Sequence, residues 1–124
     1  MERDMDLVKE ILSRLSALKS RKEQVTSNDF EGYDAELVSM HMEMMEEAGL
    51  IKGHASHTIG SFYYSADRLT WYGYDFLEAS RNDKIWSKAK KVIVKAGGIF
   101  SIEVLKKLLN HLAIEYLKEE GDIR

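Results

Sequence analysis

The sequence predicts a mainly α fold with a small β-hairpin: a winged helix-turn-helix-like domain plus two C-terminal helices. Three observations carry this expectation. Residues 34–48 repeat apolar side chains at helical spacing, stop at Gly49, and pass at once into the extended apolar pair Leu50-Ile51. Phe62-Tyr63-Tyr64 then supplies a second strand, and Thr70 opens another helix. Helix, hairpin, helix is the order of recognition-type helix, wing and following helix. The chain also contains no proline, which favours long uninterrupted helices.

The first helix is expected over residues 4–19. Val8, Ile11, Leu12, Leu15 and Leu18 keep the three–four spacing that gathers apolar groups on one face. Asp4 and Asp6 suit its first turn and Lys19 its last, where each opposes the helix dipole. Residues 20–33 are polar and read as a loop with a short strand at Gln24-Val25-Thr26. They leave little room for the first helix of a helix-turn-helix pair, so that helix is shortened or missing. In the helix at 34–48, Asp34 is the expected N-cap. Leu37, Val38, His41, Met44, Met45 and Ala48 form its apolar face; Ala35, Glu36, Ser39, Met40, Glu43, Glu46 and Glu47 lie opposite.

Residues 50–70 read as a hairpin, long for a wing, with bends at Gly53 and Gly60. Thr70 caps a helix to about residue 81, with Trp71, Tyr74, Phe76 and Leu77 available to pack. Residues 83–96 carry the stripe Ile85, Ala89, Val92, Ile93 and Ala96, flanked by a row of Lys84, Lys88, Lys91 and Lys95. Gly97-Gly98 breaks that helix. Ser101 caps the last one, whose apolar face is Ile102, Leu105, Leu108, Leu109, Leu112, Tyr116 and Leu117. Residues 1–81 are therefore expected to form the winged-helix-like domain. Residues 82–124 form a helical extension that either packs on it or mediates dimerisation.

With 124 residues, the chain is one domain or one small domain with an appendage. No apolar run is long enough for a membrane span, and the opening Met1-Glu2-Arg3-Asp4-Met5-Asp6 lacks the basic-then-apolar pattern of a signal peptide. The absence of cysteine excludes disulfides and thiolate metal sites and fits a cytoplasmic protein. Net charge is −3 but unevenly spread. Residues 30–80 hold two basic and nine acidic side chains, whereas residues 81–107 hold eight basic and two acidic. Electrostatic attraction for a polyanion is expected in the second stretch.

Val38 to Ile51 resembles the recognition helix and first wing residue of bacterial winged-helix regulators. Arg68-Leu69-Thr70-x-x-Gly73 resembles their wing-to-helix junction. Across nearly the whole chain there is a second resemblance. It rests on the opening Met1-Glu2-Arg3-Asp4-Met5-Asp6-Leu7, Gly32-Tyr33, His41, Ala48-Gly49-Leu50-Ile51, Leu69-Thr70-Trp71-x-Gly73 and Ile85-Trp86. These residues are similar to a family of prophages and Gram-positive bacteria known as a domain of unknown function. Ile85-Trp86-Ser87-Lys88-Ala89 looks more loosely like YjcQ-type winged-helix proteins. The resemblance implies a winged-helix fold and a phage or mobile-element setting, and it implies no activity or ligand.

Function follows from the side chains. A major-groove reader needs Arg, Lys, Asn or Gln on its exposed helix face. The helix at 34–48 has no Lys or Arg and presents glutamates, which would repel phosphates. The reading placed first is a protein-interaction or self-assembly module using Glu36, Met40, Glu43 and Glu47, with Met42 beside them as a further adaptable contact. The alternative is a DNA-binding regulator contacting phosphates through Lys19, Arg21, Lys22, Lys52, Arg68 and the row Lys84, Lys88, Lys91 and Lys95. Against both stands the bland expectation of solvated helix faces. Catalysis is not expected: there is no cysteine nucleophile, Gly-rich phosphate loop or HExxH pattern, and no cofactor or small-molecule substrate is implied. His54 and His57 lie three apart in the hairpin, where strand geometry sends them to opposite faces, so joint metal ligation would need a loop. His41 and His111 are expected as hydrogen-bonded helix residues beside apolar stripes. Trp71, Tyr72, Tyr74 and Trp86 are expected in packing.

Overall fold

The computed structural model describes residues 1–58, 61–98 and 101–120, apart from the side chains of His57, Thr58 and Ser61. The expected bend at Gly60 lies outside the described residues. The described residues form five helices and one small sheet: α1 (Met5–Ser16), β1 (Val25–Thr26), α2 (Ala35–Glu47), β2 (Ile51–Thr58), β3 (Ser61–Leu69), α3 (Trp71–Ser80), α4 (Asp83–Lys95) and α5 (Ile102–Glu119). The sheet is antiparallel in the order β1-β3-β2. This is the mainly helical, winged-helix-like α+β fold the sequence predicts. The chain divides into two compact units, Met1–Leu77 and Glu78–Arg124.

In the first unit α1 packs on α2 and β3, and α2 packs on both long strands. Leu7, Val8, Ile11, Leu12 and Leu15 bury the whole apolar face of α1, and full burial of such side chains stabilises by roughly 1.5–3 kcal/mol each. The helix begins where Asp4 accepts hydrogen bonds from the amides of Asp6 and Leu7. It ends three residues before the expected limit. Ser16 donates its hydroxyl to Ser13 O, and the amides of Ala17 and Leu18 fall back on carbonyls three residues earlier. That tightened turn leaves Lys19 in the loop and makes Arg14 the basic residue of the last turn. The loop that replaces a second helix is held by Arg14, whose guanidinium donates to Asp29 O at 3.1 Å and lies 4.8 Å from the centre of the Phe30 ring.

The termination of α2 explains why Gly49 stands there. Its φ is +78°, its amide donates to Glu46 O, and the amide of Leu50 reaches back to Met45 O. These are the paired bonds of a Schellman cap, closed by the buried side chains of Leu50 and Met45. Asp34 takes the N-cap position, but its carboxylate makes no cap bond. The buried stripe of α2 is rotated from the expected one. Val38, Ser39, His41, Met42 and Met45 are buried, while Ala48 is exposed. Ser39 is tolerated inside because its hydroxyl donates to Glu36 O at 2.8 Å. Met42 is therefore a core residue and not a surface contact.

In the second unit α4 and α5 pack together. Asn82 and Ser101 cap them through side-chain oxygens. Gly97 and Gly98 follow α4 with φ of +88° and +78°. The buried stripe of α4 is shorter than expected: Ile85, Trp86 and Ala89 are buried, whereas Val92 and Ala96 are exposed. On α5, Leu105, Leu109 and Leu112 are buried and Leu117 is exposed.

Candidate functional site

Two surfaces of the first unit carry the chemistry. The first is on α2. Glu36, Met40, Glu43 and Glu47 all point to solvent, Met40 with 39% of its surface exposed. Their four–three–four spacing places them within a narrow arc at 100° per residue, so they form one continuous acidic stripe broken by a thioether. Glu46 stands apart because its Oε1 accepts the Tyr64 hydroxyl at 2.6 Å.

That bond is a structural tie between α2 and the central strand. Burial first, and then the Glu46 carboxylate, push the Tyr64 hydroxyl above its ordinary value of 10.0. A phenolate there would lose solvent and face a carboxylate. Because the folded-state value is raised, the bond's contribution is fully present below about pH 10 and is lost as pH rises beyond it. Tyr64→Phe should cost about 1 kcal/mol at neutral pH and should fall less steeply in stability above about pH 10 than the parent. Urea midpoints across an alkaline pH series would check this, and parallel curves would exclude it.

The second surface is an open cleft of about 1020 Å³ lined by residues including Lys19, Arg21, Gln24, Asp67, Arg68 and Tyr74. It arises because α1 stops early, which leaves Lys19 and Arg21 in the loop beside the sheet. β1 pairs with β3, and Gln24, just before β1, donates to Asp67 Oδ1 at 2.6 Å. Arg68 sits in the central strand, with Lys52 as its cross-strand partner on β2. Its Nη1 donates to Leu69 O at 3.2 Å, which fixes the guanidinium. The structure thus gathers Lys19, Arg21 and Arg68 in one place. Lys22 is exposed in the same loop. Two carboxylates temper the charge: Asp67, and Glu23, which accepts the amide of Lys19.

In the second unit Lys84, Lys88, Lys91 and Lys95 are all exposed along α4. The first three share a shallow depression with Asp83 and Ser87.

Several expectations are corrected at these sites. Trp71 is 84% exposed and Tyr74 45% exposed, so neither is a core residue; Trp86 is buried as expected. The reason lies in the face of α3 that packs. Gly73, Phe76, Leu77 and Ser80 are buried at positions i, i+3, i+4 and i+7, which turns Trp71 to the far side. The same spacing is present in the sequence, with Gly73 as its first packing residue. His41 is fully buried and hydrogen-bonded at both ring nitrogens, to the Asp4 amide and Leu37 O. His111 is instead exposed and lies 2.9 Å from Glu115, one turn along α5. His54 is exposed, 3.9 Å from Asp67. The side chain of His57 lies outside the described residues. Among the described residues no group of three or more His, Asp or Glu is arranged to hold a metal ion, and no helix is long and apolar enough to cross a membrane.

No solved structure matches the chain. An uncharacterized protein of Haemophilus influenzae is 28% identical over 117 residues, which cover 94% of this chain and 99% of the relative. Residues 2–99 match the family described as hypothetical protein (DUF2513), and this span takes in all of the first unit except Met1, together with α4. That coverage is well over half of the chain, and the chain belongs to the DUF2513 family.

Proposed function

We propose that this protein acts by binding rather than by chemistry, as a cytoplasmic accessory protein of a phage or mobile element that engages a protein partner through α2. The observation that carries this reading is the single exposed stripe of Glu36, Met40, Glu43 and Glu47. Such a face suits a partner surface that is basic and adaptable: carboxylates steer and select, and a flexible thioether fits imperfect contacts. A second copy of the chain carries one such surface. Lys84, Lys88, Lys91 and Lys95 are exposed on α4 with the same four–three–four spacing. Exposed ion pairs are each worth only about 0–1 kcal/mol, so self-association through these rows would be weak and salt-sensitive.

The test reverses charge on each row separately, in variants carrying Glu36→Lys, Glu43→Lys and Glu47→Lys, or Lys84→Glu, Lys88→Glu and Lys91→Glu. The α2 variant should lose capture of a protein partner, either variant alone should lose self-association in sedimentation velocity, and mixing the two should restore it. Unchanged association in the α2 variant would remove this reading.

A second reading, DNA binding, is favoured by one specific observation: Lys19, Arg21 and Arg68 line a common cleft. On this reading Lys22 and Lys52 extend the contact, and α2 takes no part in it. The winged-helix-like domain serves either reading as a scaffold, since fold does not determine function.

A further inference from the structure

We infer that the cleft beside α1 binds single-stranded nucleic acid, with its cations on the phosphates and Tyr74 and Trp71 stacking on unpaired bases. This inference rests on the second reading above and is independent of any role for α2. Three observations support it. The cleft is concave and lined by Lys19, Arg21 and Arg68 together with Gln24 and the ring of Tyr74. Trp71 lies between Arg68 and Tyr74 in the chain, at the first position of α3, with 84% of its surface in solvent. Residues three apart on a helix are neighbours, which places Trp71 next to the cleft residue Tyr74 on α3. A tryptophan this exposed buries little in the fold itself, so its ring is available to a ligand.

The chemistry selects single strands over duplex. A base can stack on a side-chain ring only when it is free of its own neighbours, which holds for single strands and not inside a paired helix. Duplex reading through a recognition helix would require donors on α2, which projects carboxylates instead. The path of the strand is limited too. Asp75 and Glu78 follow Trp71 on the exposed side of α3, Glu78 paired with Arg81 at 2.8 Å. A polyanion would therefore run from Trp71 towards Arg68 and Arg21 rather than along α3. Gln24 Nε2 is engaged by Asp67 and its Oε1 by the Ser65 hydroxyl. Its role is to hold the cleft wall, leaving the contacts to the cations and rings.

The test uses the full chain and its tryptophan fluorescence, which Trp71 dominates as a quenching probe because Trp86 is buried. A short oligothymidylate and a duplex of equal length would be titrated at low and high salt. The expected result is quenching by the single strand with an affinity that falls as salt rises. Trp71→Ala should weaken binding, followed by anisotropy of labelled oligonucleotide, by about tenfold. Trp71→Phe should retain most of it, and Lys19→Glu with Arg21→Glu should abolish it. Trp71 is so exposed that its replacement leaves the core intact. Tighter binding of duplex, or unchanged affinity in Trp71→Ala, would overturn the stacking inference while leaving the nucleic-acid reading in place. No binding of either nucleic acid would overturn both.

Discussion

Replacing Gly73 by alanine should destabilise the first unit by on the order of 3 kcal/mol, although alanine is the better helix former. A Cβ built at Gly73 would meet Leu50 O at 2.1 Å and Leu50 C at 3.1 Å. Both are backbone atoms, so no rotamer change relieves the clash. The same carbonyl accepts the Thr70 amide at 3.0 Å, while the Thr70 hydroxyl, which donates to the neighbouring Gly49 O, accepts the Gly73 amide at 2.9 Å. The first turn of α3 is thus laid directly onto the start of β2, and space for a methyl group exists only if those bonds lengthen together. Helix propensity alone would make Gly73→Ala stabilising by about 1 kcal/mol, so the sign of the measured change decides between the two accounts. Gly49 makes a useful contrast. A Cβ there meets nothing within 4 Å, and its φ of +78° is the sole obstacle, a cost of roughly 1–2 kcal/mol. Urea denaturation of both variants should rank Gly73→Ala well below Gly49→Ala. The reverse order, or a more stable Gly73→Ala, would mean that α3 does not approach Leu50 as described.

The same junction shows what could be read from the chain. Leu69-Thr70-x-x-Gly73 identifies a strand-to-helix turn because a hydroxyl cap and an absent side chain are local requirements, visible residue by residue. The stop at Gly49 and the cap at Ser101 are legible for the same reason, as is the missing second helix, for which residues 20–33 lack the apolar spacing. Quantities that depend on which neighbour an element meets were less legible. The periodicity of α2 admits two overlapping apolar arcs, and packing on α1 and the sheet selects Met42 and Ser39 over Ala48. The stripe of α4 continues in sequence to Ala96, but burial covers only its first half. The cleft depended on two events with no local signature. One is the early end of α1, set by Ser16 bonding back to Ser13. The other is a register shift between Lys52 and Gly53, opposite Arg68 and Ala66, that leaves Asp67 without a cross-strand partner. Lys19, Arg21 and Arg68 could be named as candidates from charge alone, but their meeting with Tyr74 in one cleft needed the fold.

His41→Leu should cost about 1–3 kcal/mol and release the N-terminus of α1, although it exchanges a polar core residue for an apolar one of similar size. His41 Nε2 accepts the Asp4 amide at 2.8 Å, across 37 residues of sequence, and Nδ1 bonds Leu37 O at 2.9 Å. The two bonds fix the tautomer: Nδ1 carries the proton and donates it to the carbonyl, and Nε2 is bare to receive the amide. Asp4 is also the N-cap of α1, so this one ring ties the start of α1 to the middle of α2. Leucine keeps the volume but offers no acceptor, leaving the amide of the half-buried Asp4 without its protein partner. His41→Gln restores an acceptor oxygen on a flexible arm and should recover part of the loss. His41→Ala adds an empty ring-sized space and should lose the most, about 3–5 kcal/mol by analogy with other aromatic truncations. Hydrogen exchange separates this account from a general loss of packing. In His41→Leu the amides of Asp4, Asp6 and Leu7 should exchange faster, while those of β3 keep their protection relative to global stability. If protection falls evenly across the unit, the ring serves only to fill the core and the tie to α1 carries no separate share of stability.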